Sequence, residues 1–329
     1  MAKEGGQIDA TRGGAPPLLP VIAGPTAGGK TGLGVALAQR LGEIGLPLGE
    51  VVSADSMQIY AGLDIGSAKP TAQEQDGIPH HLLSIADPRD RFSVSQWLDA
   101  AEEAIDSIRA RARTPIVVGG THLYIKSLLE GMFDGPGADE AIRAELAAMD
   151  PGERRRELER VDPPAAARIH PNDERRTVRA LEVYRLTGRA ISEHQQQWDR
   201  AAVRPGAVLI GLDWESGAIN RRINARVRAM IEQGLVEEAR GLFERGLLGP
   251  QAIEALGYKQ LVAHFRGECG LEEAVERIKI ETRRFAKAQR TWLRRLRPTP
   301  GSLWIDAGLE EPNGWVETVL GHLAGPVRA

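Results

Sequence analysis

Short continuous apolar runs alternate along this chain with longer segments of helical period. Leu18 to Ala23 is such a run, entering a Gly-rich turn, and Gly32 to Leu41 then shows the apolar spacing of a helix. Val51 and Val52 lead into Ser53-Ala54-Asp55-Ser56, while Pro115 to Val118 ends at Gly119-Gly120-Thr121 before a helical Leu123 to Leu129. Between them Val94 to Arg113 reads as an amphipathic crossover helix. Strands that alternate with helices predict an α/β fold with a parallel sheet, and open sheets of that kind place ligands outside the carboxyl ends of their strands. The polar residues that follow these strands are therefore the first candidates for a site.

The pattern changes after Gly131, where Phe133-Asp134-Gly135-Pro136-Gly137 interrupts it and a charged stretch of helical period runs to about Gln197. We expect 138–202 to be an inserted helical domain, because Val208 to Leu212 reads as a further strand and returns the chain to the sheet. Helices are predicted over Ile219 to Gln233, Val236 to Arg245, Gln251 to Phe265 and Leu271 to Leu296, with a last short strand at Trp304-Ile305. The core is thus assigned to 18–137 and 203–310, and residues 1–17, rich in Gly, Pro and Ala without a hydrophobic period, to a flexible tail.

Composition adds limits. The 329 residues, 42% hydrophobic and 26% charged, contain no apolar run near the roughly 20 residues of a membrane span. No signal-peptide pattern opens the chain, and the single Cys269 excludes a disulfide framework or a Cys-rich zinc site, so a cytoplasmic protein is expected. The net charge of −3 speaks against a polyanionic partner only on average. Between Arg277 and Arg297 stand nine Lys or Arg and one acid, Glu281, a local net of +8. Arg283, Lys287, Arg290 and Arg294 fall on one helical stripe, and Phe285, Trp292 and Leu296 on another that is expected to face the core. Solvated helix faces usually mix signs, so this one is read as a nucleic-acid surface.

Gly24-Pro25-Thr26-Ala27-Gly28-Gly29-Lys30-Thr31 fills every position of the P-loop pattern between a strand and a helix. Its amides and helix terminus can cradle phosphate oxygens, Lys30 supplies a point charge, and Thr31 can ligate Mg²⁺. The motif names neither a nucleotide nor the need for one. No apolar strand ends in the usual Mg²⁺-positioning Asp followed by an acidic base, as in an ordinary NTPase, and no guanine-reading motif is present, which opposes an RNA-binding GTPase switch. Asp55, at a strand end, is the acidic candidate, as metal ligand, base or helix cap. Arg222 and Arg226 share a helix face and could direct two guanidinium groups at one phosphate. His80 and His81 lack partners at metal spacing and read as structural or channel residues.

The P-loop, Ser53-Ala54-Asp55-Ser56-Met57-Gln58-Ile59-Tyr60 with Asp64-Ile65-Gly66-Ser67-Ala68-Lys69-Pro70, Val118-Gly119-Gly120-Thr121-His122-Leu123-Tyr124, Leu256-Gly257-Tyr258-Lys259 and Thr282 to Trp292 together resemble the tRNA dimethylallyltransferase (isopentenyltransferase) family, in its bacterial form, from about Leu18 to Leu296. The resemblance implies transfer of a dimethylallyl group from dimethylallyl diphosphate to N6 of the adenine 3′ of the tRNA anticodon, with release of diphosphate. It implies that the P-loop holds the donor diphosphate, aided by Arg222 and Arg226, that Asp55 takes the amine proton, and that Thr121 lines the reaction channel. It further implies tRNA contacts at Asp55, Ser56, Met57, Gln58, Thr121, Gly257, Tyr258, Lys259, Arg283, Arg284, Lys287 and Arg290. In the helical insertion, Arg143, Arg175, Arg176 and Arg179 would grip the anticodon stem-loop. Gly28, Asn224 and Ala288 depart from the family's commoner serine, aspartate and arginine, and none touches the proposed base. A small-molecule kinase or an adenylate isopentenyltransferase would share the loop, but neither accounts for the basic helix. A monomer can supply every named group.

Overall fold

The computed structural model describes residues 17–132, 135–194, 203–309 and 312–325. Apart from Pro17, the expected tail lies outside the described residues, as do Phe133-Asp134 and the last stretch, 195–202, of the expected insertion.

Strands β1 (Leu19–Ala23), β2 (Gly49–Ala54), β3 (His80–His81), β4 (Thr114–Gly119), β5 (Ala207–Asp213) and β6 (Leu303–Asp306) form one six-stranded sheet in the order β3-β2-β4-β1-β5-β6. Every pairing is parallel. β1, β2 and β4 are buried along their whole length, as strands covered on both faces are; the one charged residue among them, Glu50 of β2, is paired with His81 and Arg111. The short β3 was not predicted: its two histidines lack the apolar run that marks the other strands. Its partner β2 explains it, since Val51 and Val52 pair with His80 and His81 at the sheet edge.

Helices α1 (Lys30–Arg40), α2 (Ala72–Gln75), α3 (Val94–Ala110) and α4 (His122–Glu130) follow these strands, α3 opening on a capping box between Ser93 and Gln96. At the crossing of β4 with β2, Ala54 pairs with Gly119, and a Cβ on Gly119 would lie 2.1 Å from the Ala54 carbonyl oxygen. Only glycine lets these two strand ends approach so closely, and both lead into candidate site residues.

The chain divides into two compact units, 1–126 with 205–329, and 127–204. The second contains α5 (Glu140–Ala148), α6 (Pro151–Val161), α7 (Pro163–Arg168) and α8 (Glu174–Thr187) around a core that includes Leu146, Leu158, Leu181, Val183 and Ile191. Each of these helices starts at an aspartate whose carboxylate accepts backbone N–H groups: Asp139, Asp150, Asp162 and Asp173. The unit also buries two acids, the cap Asp162 and Glu182. Glu182 has no exposed side-chain surface and accepts from the Asp139 amide at 2.8 Å, from Arg143 Nε at 2.8 Å and from Arg179 Nη1 at 2.7 Å.

In the first unit α9 (Ser216–Glu232), α10 (Leu235–Glu244), α11 (Tyr258–Phe265), α12 (Leu271–Arg295) and α13 (Pro312–Ala324) complete the fold. The single helix expected over Gln251 to Phe265 is instead a 3-10 turn, Ala252–Glu254, followed by a break at Gly257, whose φ of 94° no ordinary helix adopts, before α11 begins. Nor was α13 anticipated. Phe285 also departs from the sequence reading. α12 buries Ala274, Ile278, Ala286, Gln289 and Leu293, so its inner face runs through 286 and 289 and leaves Phe285 44% exposed at the margin.

The fold makes a testable demand on its helical unit. Glu182→Ala removes the acceptor shared by Arg143, Arg179 and the α5 cap, and should lower stability by about 2 kcal/mol, less than for a fully enclosed pair because both guanidinium groups keep contact with water. Urea unfolding followed by circular dichroism measures it; an unchanged midpoint would show that the buried acid contributes nothing net.

Candidate active site

The site grows from the turn after β1. Ala27 and Gly29 take left-handed backbone angles, φ 59° and 86°, which curl residues 24–31 and set α1 off from Lys30. A Cβ on Gly29 would meet the Trp315 ring at 2.7 Å, so glycine is required by space as well as by φ. Three carbonyls of this loop find side-chain donors. Lys30 Nζ donates to the Pro25 oxygen at 2.8 Å, Arg222 Nε to the Ala27 oxygen at 2.8 Å and Trp214 Nε1 to the Gly28 oxygen at 3.2 Å. The Arg222 guanidinium lies over the Trp214 ring at 4.8 Å, and Trp214 meets Trp315 edge to face at 6.1 Å. Arg222, expected on a phosphate, thus braces the outside of the loop.

Asp55 follows β2. Its Oδ1 accepts from the amides of Met57 at 2.9 Å and Gln58 at 3.3 Å, so the capping geometry weighed from the sequence is present. The same geometry fixes the carboxylate, and Oδ2 has no hydrogen-bond partner among the described residues. Thr121 follows β4; its amide donates to the Ala54 oxygen at 3.2 Å and its Oγ1 accepts from the Ser56 amide at 3.0 Å. The threonine therefore holds the backbone on both sides of Asp55. Gln58 points inward, accepting from Ser53 Oγ at 3.0 Å and donating to the Ala68 oxygen at 3.0 Å.

Thr26, Lys30, Thr31, Asp55, Arg226 and Gln289 line a polar cavity of about 80 Å³. Burial pushes the Lys30 ammonium down to about 8, with Asp55 opposing the shift and Arg226 adding to it. Burial likewise lowers Arg226, again opposed by Asp55. Two cations and one acid therefore share a space whose natural counterion is polyanionic. His80 borders this cavity, with Nδ1 2.8 Å from the Ile78 oxygen and burial holding the ring toward its neutral form. His81 instead pairs with the buried Glu50 at 2.7 Å.

A second cavity, of about 650 Å³, shares Thr26, Asp55, Ser67, Ala68, Arg226 and Phe285 with the first. Its walls are largely apolar, with Met57, Ile223, Val227, Met230, Leu235 and Ile278 among them; Ser56, Thr121, Gly257 and Arg284 add polar groups. The loop carrying Ser67 and Ala68 is docked by Glu238, which accepts from the amides of Asp64, Ile65 and Gly66 and, at 2.5 Å, from the Tyr258 hydroxyl. Tyr258 is fully buried and offers no surface to a macromolecule, contrary to the contact implied for it, because its phenol is committed to this loop. Lys259 is exposed and paired with Glu254 at 2.7 Å.

On α12, Arg284, Lys287 and Arg294 are exposed, while Arg283 donates to Asn224 Oδ1 and Arg290 to Ser216 Oγ, each at 2.6 Å. Trp292 stacks on His122 at 4.4 Å, with the Arg295 guanidinium 4.5 Å from its ring. In the helical unit, Arg143 and Arg179 brace Glu182, whereas Arg175 and Arg176 are exposed, Arg176 pairing with Asp173 at 3.4 Å.

Trp214, Trp315, Glu238 and Gln289 were missed from the sequence. Gln289 had a signal: it is a polar residue at apolar spacing between Ala286 and Leu293, and a buried carboxamide needs partners. The other three carried none, since each acts on a loop distant in the chain.

One consequence concerns charge. The free protein presents the Lys30 ammonium at neutral pH and loses it as pH rises through about 8, whereas a bound polyanion holds the proton. The ratio of inorganic diphosphate affinities, wild type over Lys30→Ala, should therefore fall as pH rises from 7 to 9.5; calorimetry at each pH measures it with the ligand's own titration cancelled. A flat ratio would contradict the lowered value.

The family model described as IPP transferase matches residues 58–296, and that described as isopentenyl transferase matches 18–88. A tRNA dimethylallyltransferase of Geobacillus kaustophilus is 47% identical over 313 residues, covering 94% of this chain and 96% of that one. The Desulforudis audaxviator protein of the same name is 48% identical over 286 residues, covering 85% and 90%. Among solved structures, the full-length tRNA isopentenylpyrophosphate transferase of Bacillus halodurans superposes with a TM-score of 0.69 at 40% identity, over 94% of this chain and 96% of that one. A eukaryotic dimethylallyltransferase acting on tRNA gives 0.76 at 30% identity, over 90% and 75%.

Proposed function

The chain belongs to the IPP transferase family, and from that premise we propose that it transfers a dimethylallyl group from dimethylallyl diphosphate to N6 of the adenine 3′ of a tRNA anticodon. The observation that carries the reading is the shared wall of the two cavities. Lys30, Arg226 and the loop suit a diphosphate, the apolar chamber suits a prenyl chain and a base extruded from its stack, and Asp55 borders both.

The chemistry follows from the groups present. The C1–O bond of the donor breaks and the departing diphosphate keeps the electron pair; Lys30 and Arg226 stabilise that charge where it grows. The N6–C1 bond forms, and the amine proton passes to Oδ2 of Asp55, whose other oxygen stays anchored by two amides. A magnesium ion fits this arrangement. No cluster of three or more His, Cys, Asp or Glu exists among the described residues, but Thr31 lines the polar cavity and would hold the ion, whose other ligands would be phosphate oxygens and water. When bound, it neutralises charge on the leaving diphosphate.

The acceptor is assigned as tRNA on the exposed cations of α12, Arg284, Lys287 and Arg294, together with Arg175 and Arg176 of the helical unit, which we assign to the anticodon stem-loop. Since all the named groups come from one chain, a monomer suffices. No helix among the described residues is long and apolar enough to cross a membrane, in keeping with work in the cytoplasm.

Purified protein incubated with magnesium, dimethylallyl diphosphate and unmodified tRNA should yield N6-dimethylallyladenosine on digestion and mass spectrometry. Asp55→Ala should reduce kcat by at least about 100-fold, the scale of a general base. Modification of AMP in place of tRNA would reassign the chain to adenylate prenylation, and phosphorylation of a small molecule to a kinase.

A further inference from the structure

The residue that joins the donor side of this site to the acceptor side is Gln289. It is 4% exposed and lies on the inner face of α12, far in sequence from both loops that it touches. Its Oε1 accepts from the Thr26 amide at 2.8 Å, in the phosphate loop, and its Nε2 donates to the Gly120 oxygen at 2.9 Å, at the end of β4. A Cβ on Gly120 would stand 2.6 Å from Nε2, so the carboxamide occupies the space that a side chain at 120 would need. The next residue is Thr121, whose hydroxyl holds the Ser56 amide beside Asp55. One continuous path therefore runs from the phosphate loop through Gln289, Gly120, Thr121 and Ser56 to the proposed base.

We infer that Gln289 is a positioning residue that sets the register between the diphosphate cradle and the Asp55–Thr121 edge of the reaction chamber. The inference rests on the function proposed above. Of the side chains that could sit there, a carboxamide suits because it offers a neutral acceptor and a neutral donor in one plane. An ionised glutamate of the same shape has only acceptors and would oppose the Gly120 oxygen; a leucine satisfies neither backbone group. Neutrality matters further, because the group lines the polar cavity and a carboxylate there would repel the donor's phosphates.

The test uses the full-length protein with tRNA and dimethylallyl diphosphate, and two variants. Gln289→Leu should lower kcat by at least 10-fold, with the dissociation constant for inorganic diphosphate and the KM for tRNA within about 3-fold of wild type; 10-fold equals roughly 1.4 kcal/mol of barrier. The folded fraction, read by circular dichroism at the assay temperature, normalises kcat. Gln289→Glu regains the missing donor when its carboxyl is protonated, so its kcat relative to wild type should rise as pH falls from 8.5 to 5.5, whereas the Leu variant's ratio stays flat. Gln289→Leu within 2-fold of wild type, a kcat loss no greater than the loss of folded protein, or a Glu ratio flat with pH would each overturn the inference. Wild-type protein that forms no prenylated tRNA would defeat the parent reading instead, a result distinct from any of these.

Discussion

The structure depends on a topological fact about curled backbone. A loop that turns its amides inward to receive phosphate must turn carbonyls outward, and within a packed core those oxygens are costly unless donors meet them. Here one donor, Lys30, comes from the loop's own helix, and two come from far along the chain, Trp214 from the segment after β5 and Arg222 from α9. Trp315, on α13, closes against Gly29. The loop is therefore held by elements separated from it by as much as most of the chain, and the sheet order that brings β5 beside β1 makes that possible.

The same constraint explains which features could be read in advance. The strands after which site residues appear were legible because burial on both faces favours apolar runs, which β1, β4 and β5 have and which β2 shows as the pair Val51-Val52. The phosphate loop, Asp55 and Thr121 were legible because each lies directly after such a strand. β3 was hidden because pairing with Val51 and Val52, and not its own composition, makes His80 and His81 a strand. Gly257 broke a helix that helical periodicity alone carried through 251–265. Side chains that serve distant backbone, such as Glu238 accepting three amides of the 64–66 loop, leave no local pattern, because the partner is fixed only by the fold.

Arginine shows the limit most clearly. Arg222 and Arg226 stand one turn apart on α9, and spacing alone treats them as equivalent. The first has Nε on a carbonyl and its guanidinium over an indole; the second lines both cavities, and the carboxylates of Asp55 and Glu74 only partly offset the burial of its charge. Arg143 and Arg179 divide from Arg175 and Arg176 in the same way, the former pair being drawn to a buried glutamate that the sequence presents as one more surface acid. Counting cations locates a basic face, and burial of their partners decides which of them remain available to a polyanion.

α12 unites these roles through its 3.6-residue period. Its inner face supplies apolar packing and Gln289, its margin brings Arg284 and Phe285 to the wall of the large cavity, and its outer face carries Lys287 and Arg294 into solvent. A rotation that moved one face would move all three, so the cations toward solvent are in fixed register with the carboxamide toward the phosphate loop. That rigidity suits a protein whose overall charge is −3 but whose 277–297 segment carries a net of +8. Attraction of a polyanion is concentrated on one helix, and the acids elsewhere oppose its settling in other places. The field that draws a nucleic acid in and the contact that sets the inner loops are thus two faces of one element.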